Sequence, residues 1–192
     1  MQNSIDKQDI NECLEALHQG KTILYPTDTI WGIGCDATNE EAVQKVIDLK
    51  GDRKNKSFII LLFSDYQIES YVKHIPEVAY QLIEYAEKPL TLILSGAKNL
   101  APSALASDGS IGVRVVKHDF CEQLLQRFRK PIISTSANFG GDMSPASFQE
   151  INPKLREKID YVVQYGQDAN TGNKASTIIK LEKDSKVQII RE

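Results

Sequence analysis

Residues 20–63 read GKTILYPTDTIWGIGCDATNEEAVQKVIDLKGDRKNKSFIILLF, and the order of patterns inside them decides the fold class. Residues 22–25 are short and β-prone and stop at Pro26. Residues 40–49 place Ala42, Val43, Val46, Ile47 and Leu49 at helical spacing. Residues 58–63 are a continuous apolar run of strand length, the pattern of a buried strand. Strand, helix and strand follow one another without a low-complexity linker, which predicts an α/β domain.

The pattern continues in both directions. Ile10, Cys13, Leu14 and Leu17 predict a helix over 6–18, stopped by Gly20. A helix is expected over about 76–86, with Pro76 tolerated in its first turn. Residues 90–94 and 111–116 read as strands, and Asp119 is placed to cap a helix through Leu124, Leu125 and Phe128. Ile132 and Ile133 end a strand and lead into a long polar loop. Residues 161–163, 177–181 and 187–190 read as further strands. The last strands have no helices between them, so the sheet is expected to be mixed and twisted rather than purely parallel. One domain over 1–192, with helices flanking the sheet, is the expected organisation.

Composition narrows the function classes. With 41% hydrophobic and 26% charged residues the chain is ordinary for a globular protein. A net charge of -3 does not advertise nucleic-acid binding, so any anionic ligand needs a local cluster of cations. Cys13, Cys35 and Cys121 form no C-x-x-C pair, and reduced thiols in a cytoplasmic protein are the simple reading. His18, His74 and His118 are scattered, so a zinc site has no support. No run approaches the roughly 18 apolar residues of a membrane span, and no membrane partner is expected.

Three polar stretches carry the chemistry, each following an apolar run. In YPTDTIWGIG, residues 25–34, Thr27, Asp28 and Thr29 put hydroxyls and a carboxylate at a strand end. Gly32 and Gly34 would let a ligand approach the backbone, although a turn with capping hydroxyls accounts for the stretch equally well. In KGDRKNKS, residues 50–57, Lys50, Arg53, Lys54 and Lys56 supply four cations at a helix end. A solvated charged loop and a triphosphate clamp both fit that composition. In STSAN, residues 134–138, three hydroxyls and an amide follow one another, with Ser144 beyond them. Capping explains one such group, not four, so this is the most specific motif of the chain. Arg114 lies inside IGVRVV, where a guanidinium needs a carboxylate, a phosphate or several carbonyls. Thr91 and Ser176 sit at strand starts, and Arg191 follows the last strand. There is no Walker loop and no G-x-S-x-G elbow.

Taken in order, YPTDTIWGIGCDA, the basic stretch, PLTLIL, IGVRVV, STSAN, AST at 175–177 and IIR at 189–191 resemble the YrdC/TsaC family of threonylcarbamoyl-AMP synthases. The matches span nearly the whole chain, in the manner of the short form of the family. The resemblance implies an α/β domain with a twisted mixed sheet and a large concave, positively charged cleft. It implies that L-threonine, bicarbonate and ATP, with Mg2+, yield threonylcarbamoyl-AMP and pyrophosphate, for threonylcarbamoyladenosine formation at position 37 of tRNA. By motif, Thr29, Arg114, Ser136 and Ser176 would contact L-threonine. Lys50, Arg53, Lys56, Asn138, Ser144 and Arg191 would contact ATP, with Lys50, Arg53 and Lys56 stabilising charge on the leaving pyrophosphate. The family's K-x-R is altered here: Asp52 stands at the arginine position and Arg53 follows one place later.

The same resemblance implies a downstream threonylcarbamoyl-transferase complex as partner and leaves direct RNA or tRNA binding open. Two other functions fit the pattern: an RNA-binding module of the same fold without synthase activity, and a relative that builds a carbamoyl-adenylate from carbamoyl phosphate. No protein nucleophile is needed, so alignment and charge stabilisation would carry catalysis. The loop after STSAN or residues 166–174 are the expected lid.

Overall fold

The computed structural model describes residues 5–51, 57–168, 175–182 and 186–192. The chain runs α1 (Lys7–His18), β1 (Ile23–Tyr25), β2 (Gly32–Gly34), α2 (Glu40–Lys50), β3 (Ile59–Leu62), α3 (Ile68–Tyr71), α4 (Glu77–Glu84) and β4 (Leu90–Leu94). It continues through β5 (Ile111–Val115), α5 (Asp119–Phe128), β6 (Ile132–Ser136), α6 (Pro153–Arg156), β7 (Tyr161–Val162), β8 (Thr177–Leu181) and β9 (Val187–Arg191). Nine strands form one sheet in the order β7-β1-β2-β6-β3-β5-β4-β8-β9. The pairs β1–β7, β3–β5 and β4–β8 are parallel and the others antiparallel, so the sheet is mixed as its sequence predicts.

Local chemistry explains the helices that flank it. Asp6 caps α1 by accepting from the Gln8 amide at 2.9 Å, and Asn39 caps α2 by accepting from Ala42. Ile10, Cys13 and Leu17 of α1 are buried, as are Phe120, Leu124 and Phe128 of α5, and the two helices pack on each other. Asp9 turns inward on α1 and accepts from the Tyr161 hydroxyl at 2.6 Å and the Tyr165 amide at 2.8 Å. This ties β7 to the first helix and satisfies a carboxylate that burial would otherwise penalise.

Several expectations need correction. Asp119 does not cap α5: His118 holds the cap position without a side-chain hydrogen bond, and Asp119 is the first helical residue. Pro76 sits at the cap of α4, not within its first turn. Arg191 is the last residue of β9 rather than a residue beyond it. The strand containing Ile132 and Ile133 does not stop there but runs on to Ser136. Residues 132–134 pair with β3, while Thr135 and Ser136 pair with Ile33 and Gly32 of β2. A second strand on the other side keeps the backbone extended after β3 has ended, whatever the side chains.

β2 was unexpected because two of its three residues are glycine. Its packing explains them: a Cβ on Gly34 would lie 2.5 Å from the Ile133 carbonyl oxygen and 2.7 Å from the Tyr25 ring. The close approach at Gly34 is therefore to β6 and β1, not to a ligand. Gly34→Ala must push β2 and β6 apart. It is expected to cost about 2 kcal/mol or more of unfolding free energy, read from the denaturant midpoint at unchanged slope.

Candidate functional site

A cleft of about 630 Å³ opens on the sheet, floored by Ile59, Ile93, Ile178 and Ile190 from four strands. Its size lies within the range of small-molecule sites. Six predicted site residues line it: Thr29, Arg114, Ser136, Ser144, Ser176 and Arg191. They come from the β1–β2 connection, β5, β6, the loop after β6, the residue before β8, and β9.

Arg114 is the buried charge at the centre. Its Nη1 donates to the Thr29 hydroxyl at 3.0 Å, and its Nη2 lies 3.5 Å from the Asp28 carboxylate, with side chains only 4% and 7% exposed. The ion pair and the hydroxyl contact are thus both present. On the far side, Arg191 brackets the carbonyl of Ser176 with Nε at 3.0 Å and Nη2 at 2.8 Å. The Ser176 hydroxyl in turn pairs with Thr91 at 2.8 Å, both buried. Burial, and then the charge of Arg114, hold the Arg191 guanidinium below its ordinary pKa.

Lys50 and Asn138 stand behind the lining. The Lys50 ammonium donates to the carbonyl oxygens of Ser136 at 2.8 Å and Asn138 at 2.5 Å, and to Asn138 Oδ1 at 3.2 Å. Asn138 Nδ2 donates to the carbonyls of Phe139 and Asp142. A Cβ on Gly140 would sit 1.9 Å from the Lys50 carbonyl oxygen, so only glycine lets this loop rest on the end of α2. The two residues organise the loop that presents Ser136 and Ser144. Arg53, Lys54 and Lys56 lie outside the described residues, as does most of the 166–174 segment.

The charged groups among the described lining residues are Arg114, Arg191, Lys180 and Asp108, and Lys180 pairs with Asp108 at 3.5 Å. Asp108, Ser110 and Lys180 were not anticipated, because each sits in an ordinary turn or strand whose sequence carries no motif, and Ser57 closes the basic stretch without having been singled out. Asp28 was in view as part of P-T-D-T, but only the fold reveals it as the partner of Arg114. Among the described residues no group of three or more His, Cys, Asp and Glu could hold a metal. Burial pushes the thiols of Cys13, Cys35 and Cys121 far up, so they remain protonated and poor nucleophiles.

This arrangement, hydroxyls and guanidinium groups converging from separated strand ends on an open sheet, defines a polar small-molecule site. A family model of the Sua5, YciO and YrdC proteins, described as telomere recombination, matches residues 15–192, and the chain belongs to this family. It is 31% identical over 169 residues to the threonylcarbamoyl-AMP synthase of Pseudoalteromonas translucida, covering 86% of this chain and 90% of that protein. It is 34% identical over 193 residues to a putative threonylcarbamoyl-AMP synthase of Methanocaldococcus jannaschii, covering 98% and 89%. The crystal structure of P. abyssi Sua5 complexed with L-threonine superposes with a TM-score of 0.83 at 28% identity. That match covers 93% of this chain and 52% of the P. abyssi chain, so the present chain spans about half of it.

Lys50→Met should release the loop without unfolding the helices. Amide exchange at Ala137–Phe139 is expected to rise about tenfold or more, since two half-buried carbonyls lose a charged donor, while α1 and α5 keep their protection.

Proposed function

We propose that this chain is an L-threonylcarbamoyladenylate synthase, converting L-threonine, bicarbonate and ATP to threonylcarbamoyl-AMP and pyrophosphate. The observation that carries the reading is the convergence of Thr29, Arg114, Ser136, Ser144, Ser176 and Arg191 on one cleft. The names of the relatives, matched over most of their length, support it.

The amine nitrogen of threonine attacks carbon dioxide derived from bicarbonate, loses a proton and becomes a carbamate. A carbamate oxygen then attacks the α-phosphorus of ATP, the bond to the β-phosphate oxygen breaks, and pyrophosphate leaves with its electron pair. Every bond forms between substrates, which suits a chain whose cysteines are shut off by burial. The protein's part is alignment and charge stabilisation. Thr29, Arg114, Ser136 and Ser176 hold threonine in this reading, and Ser144 and Arg191 face the nucleotide. Arg53 and Lys56 neutralise the leaving pyrophosphate, and Lys50 and Asn138 serve the phosphates through the loop they hold. Magnesium would enter with ATP and offset its phosphate charge, while Asp28 pairs with Arg114 and Asp108 with Lys180.

The product is an activated carbonyl donor, and a threonylcarbamoyl-transferase acting at adenosine 37 of tRNA is the consumer this reading entails. Three unpaired, buried cysteines suit a cytoplasmic setting. Among the described residues no helix is long and apolar enough to cross a membrane.

Mass spectrometry of a reaction containing ATP, Mg2+, bicarbonate and L-threonine should show threonylcarbamoyl-AMP, and its absence refutes the proposal. Product formed only when carbamoyl phosphate replaces threonine and bicarbonate would assign the carbamoyl-adenylate chemistry instead. Salt-sensitive RNA binding without threonine-dependent ATP consumption would assign the binding module. Arg53→Ala or Lys56→Ala is expected to lower pyrophosphate release by about two orders of magnitude with the fold intact; unchanged turnover in both removes the clamp. Thr29→Ala should raise the KM for threonine more than the KM for ATP.

A further inference from the structure

Thr27 is buried two residues before the cleft-lining Thr29, and nothing in the proposed reaction uses it. Its hydroxyl nevertheless determines what Thr29 can offer a ligand. Thr27 Oγ1 lies 2.8 Å from the Ile30 carbonyl oxygen, which can only accept, so the single hydroxyl hydrogen of Thr27 goes there. The same oxygen accepts from the Thr29 amide at 3.1 Å. It also lies 2.9 Å from Thr29 Oγ1. With the Thr27 hydrogen already spent, Thr29 must be the donor in that pair. Thr27 then donates once and accepts twice, and its capacity is full.

The inventory passes to Thr29. Its hydrogen is committed to Thr27, and one lone pair accepts from Arg114 Nη1 at 3.0 Å. What remains is one lone pair facing the cleft, on a side chain only 3% exposed. A carboxylate or phosphate oxygen brought to this atom would meet another acceptor.

We infer that Thr27 is a positioning residue that fixes Thr29 as a hydrogen-bond acceptor, so that Thr29 receives an N–H or O–H of the amino-acid substrate and rejects its carboxylate. This inference rests on the reading of the cleft as a threonine site. It gives P-T-x-T a division of labour in which the first hydroxyl orients and the second binds.

Steady-state kinetics of pyrophosphate release with Thr27→Val, Thr27→Ser, Thr29→Val and the Thr27→Val/Thr29→Val double variant test it. Thr27→Val should raise the KM for L-threonine about tenfold and leave the KM for ATP within about twofold. Thr27→Ser should restore the wild-type value, and the double variant should be no worse than Thr29→Val alone, because Thr27 acts through Thr29. Equal shifts in both KM values, no rescue by serine, or additive losses would overturn the inference. Hydroxyl-proton NMR of the ligand-free protein reads the polarity directly. The Thr29 hydroxyl proton should be slow to exchange in the wild type and fast in Thr27→Val, and protection unchanged by the substitution would also overturn it. This second measurement needs no substrate. Wild-type protein lacking threonine-dependent turnover would therefore sink the proposed function while leaving the polarity of Thr29 to be judged by NMR.

Discussion

A guanidinium buried in the middle of a strand is the constraint on which this structure turns. Removing a charge from water costs several kcal/mol unless partners replace the lost hydration. The partners that hold Arg114 lie outside β5 and outside β3 and β4, the strands on either side of it. They come from Asp28 and Thr29, some 85 residues earlier in the chain. The connection between β1 and β2 is thereby pinned over the sheet, and the cleft acquires one fixed wall. Arg191 makes the opposite wall at the other side of the same sheet, where a second cation would be repelled if it were not held on the Ser176 carbonyl.

The third wall is held differently. The loop after β6 is seated on the end of α2 by the Lys50 ammonium, which gathers carbonyl oxygens, and by Gly140, which lets the two backbones touch. Neither Lys50 nor Asn138 reaches the cleft lining, so their value lies in the precision with which Ser136 and Ser144 are presented. A reaction whose bonds all form between substrates gains from such rigidity, because misplacement of the reacting atoms is costly in rate.

The patterns of strand and helix were legible where apolar spacing is strong, as in α1, α2, α5 and β3. The elements that escaped were those whose sequence speaks for something else. β2 ends in glycine because β6 and Tyr25 leave no room for a Cβ at Gly34, and glycine in sequence reads as a turn. The end of β6 is polar because Ser134, Thr135 and Ser136 line the cleft, and the partner strand that keeps them extended is invisible along the chain. α3 and α6 are single turns, too short for periodicity to register. Within the site, Thr29, Arg114, Ser136, Ser144, Ser176 and Arg191 could be named from motifs. Motif order alone could not reveal that Lys50 and Asn138 bind each other, or that Asp28 is the counter-ion of Arg114.

The strand order has a further consequence for how the molecule comes into being. β1 lies beside β7, with Ile23 opposite Tyr161, and β4 beside β8, with Leu90 opposite Thr177. Ring closures of that length lose chain entropy before any pairing repays it, which slows folding of such topologies. Early in folding the helices and the β8–β9 hairpin can form from local contacts, but the walls around Arg114 and Arg191 cannot. The cavity thus depends on closures between distant parts of the chain, and no local segment carries it alone.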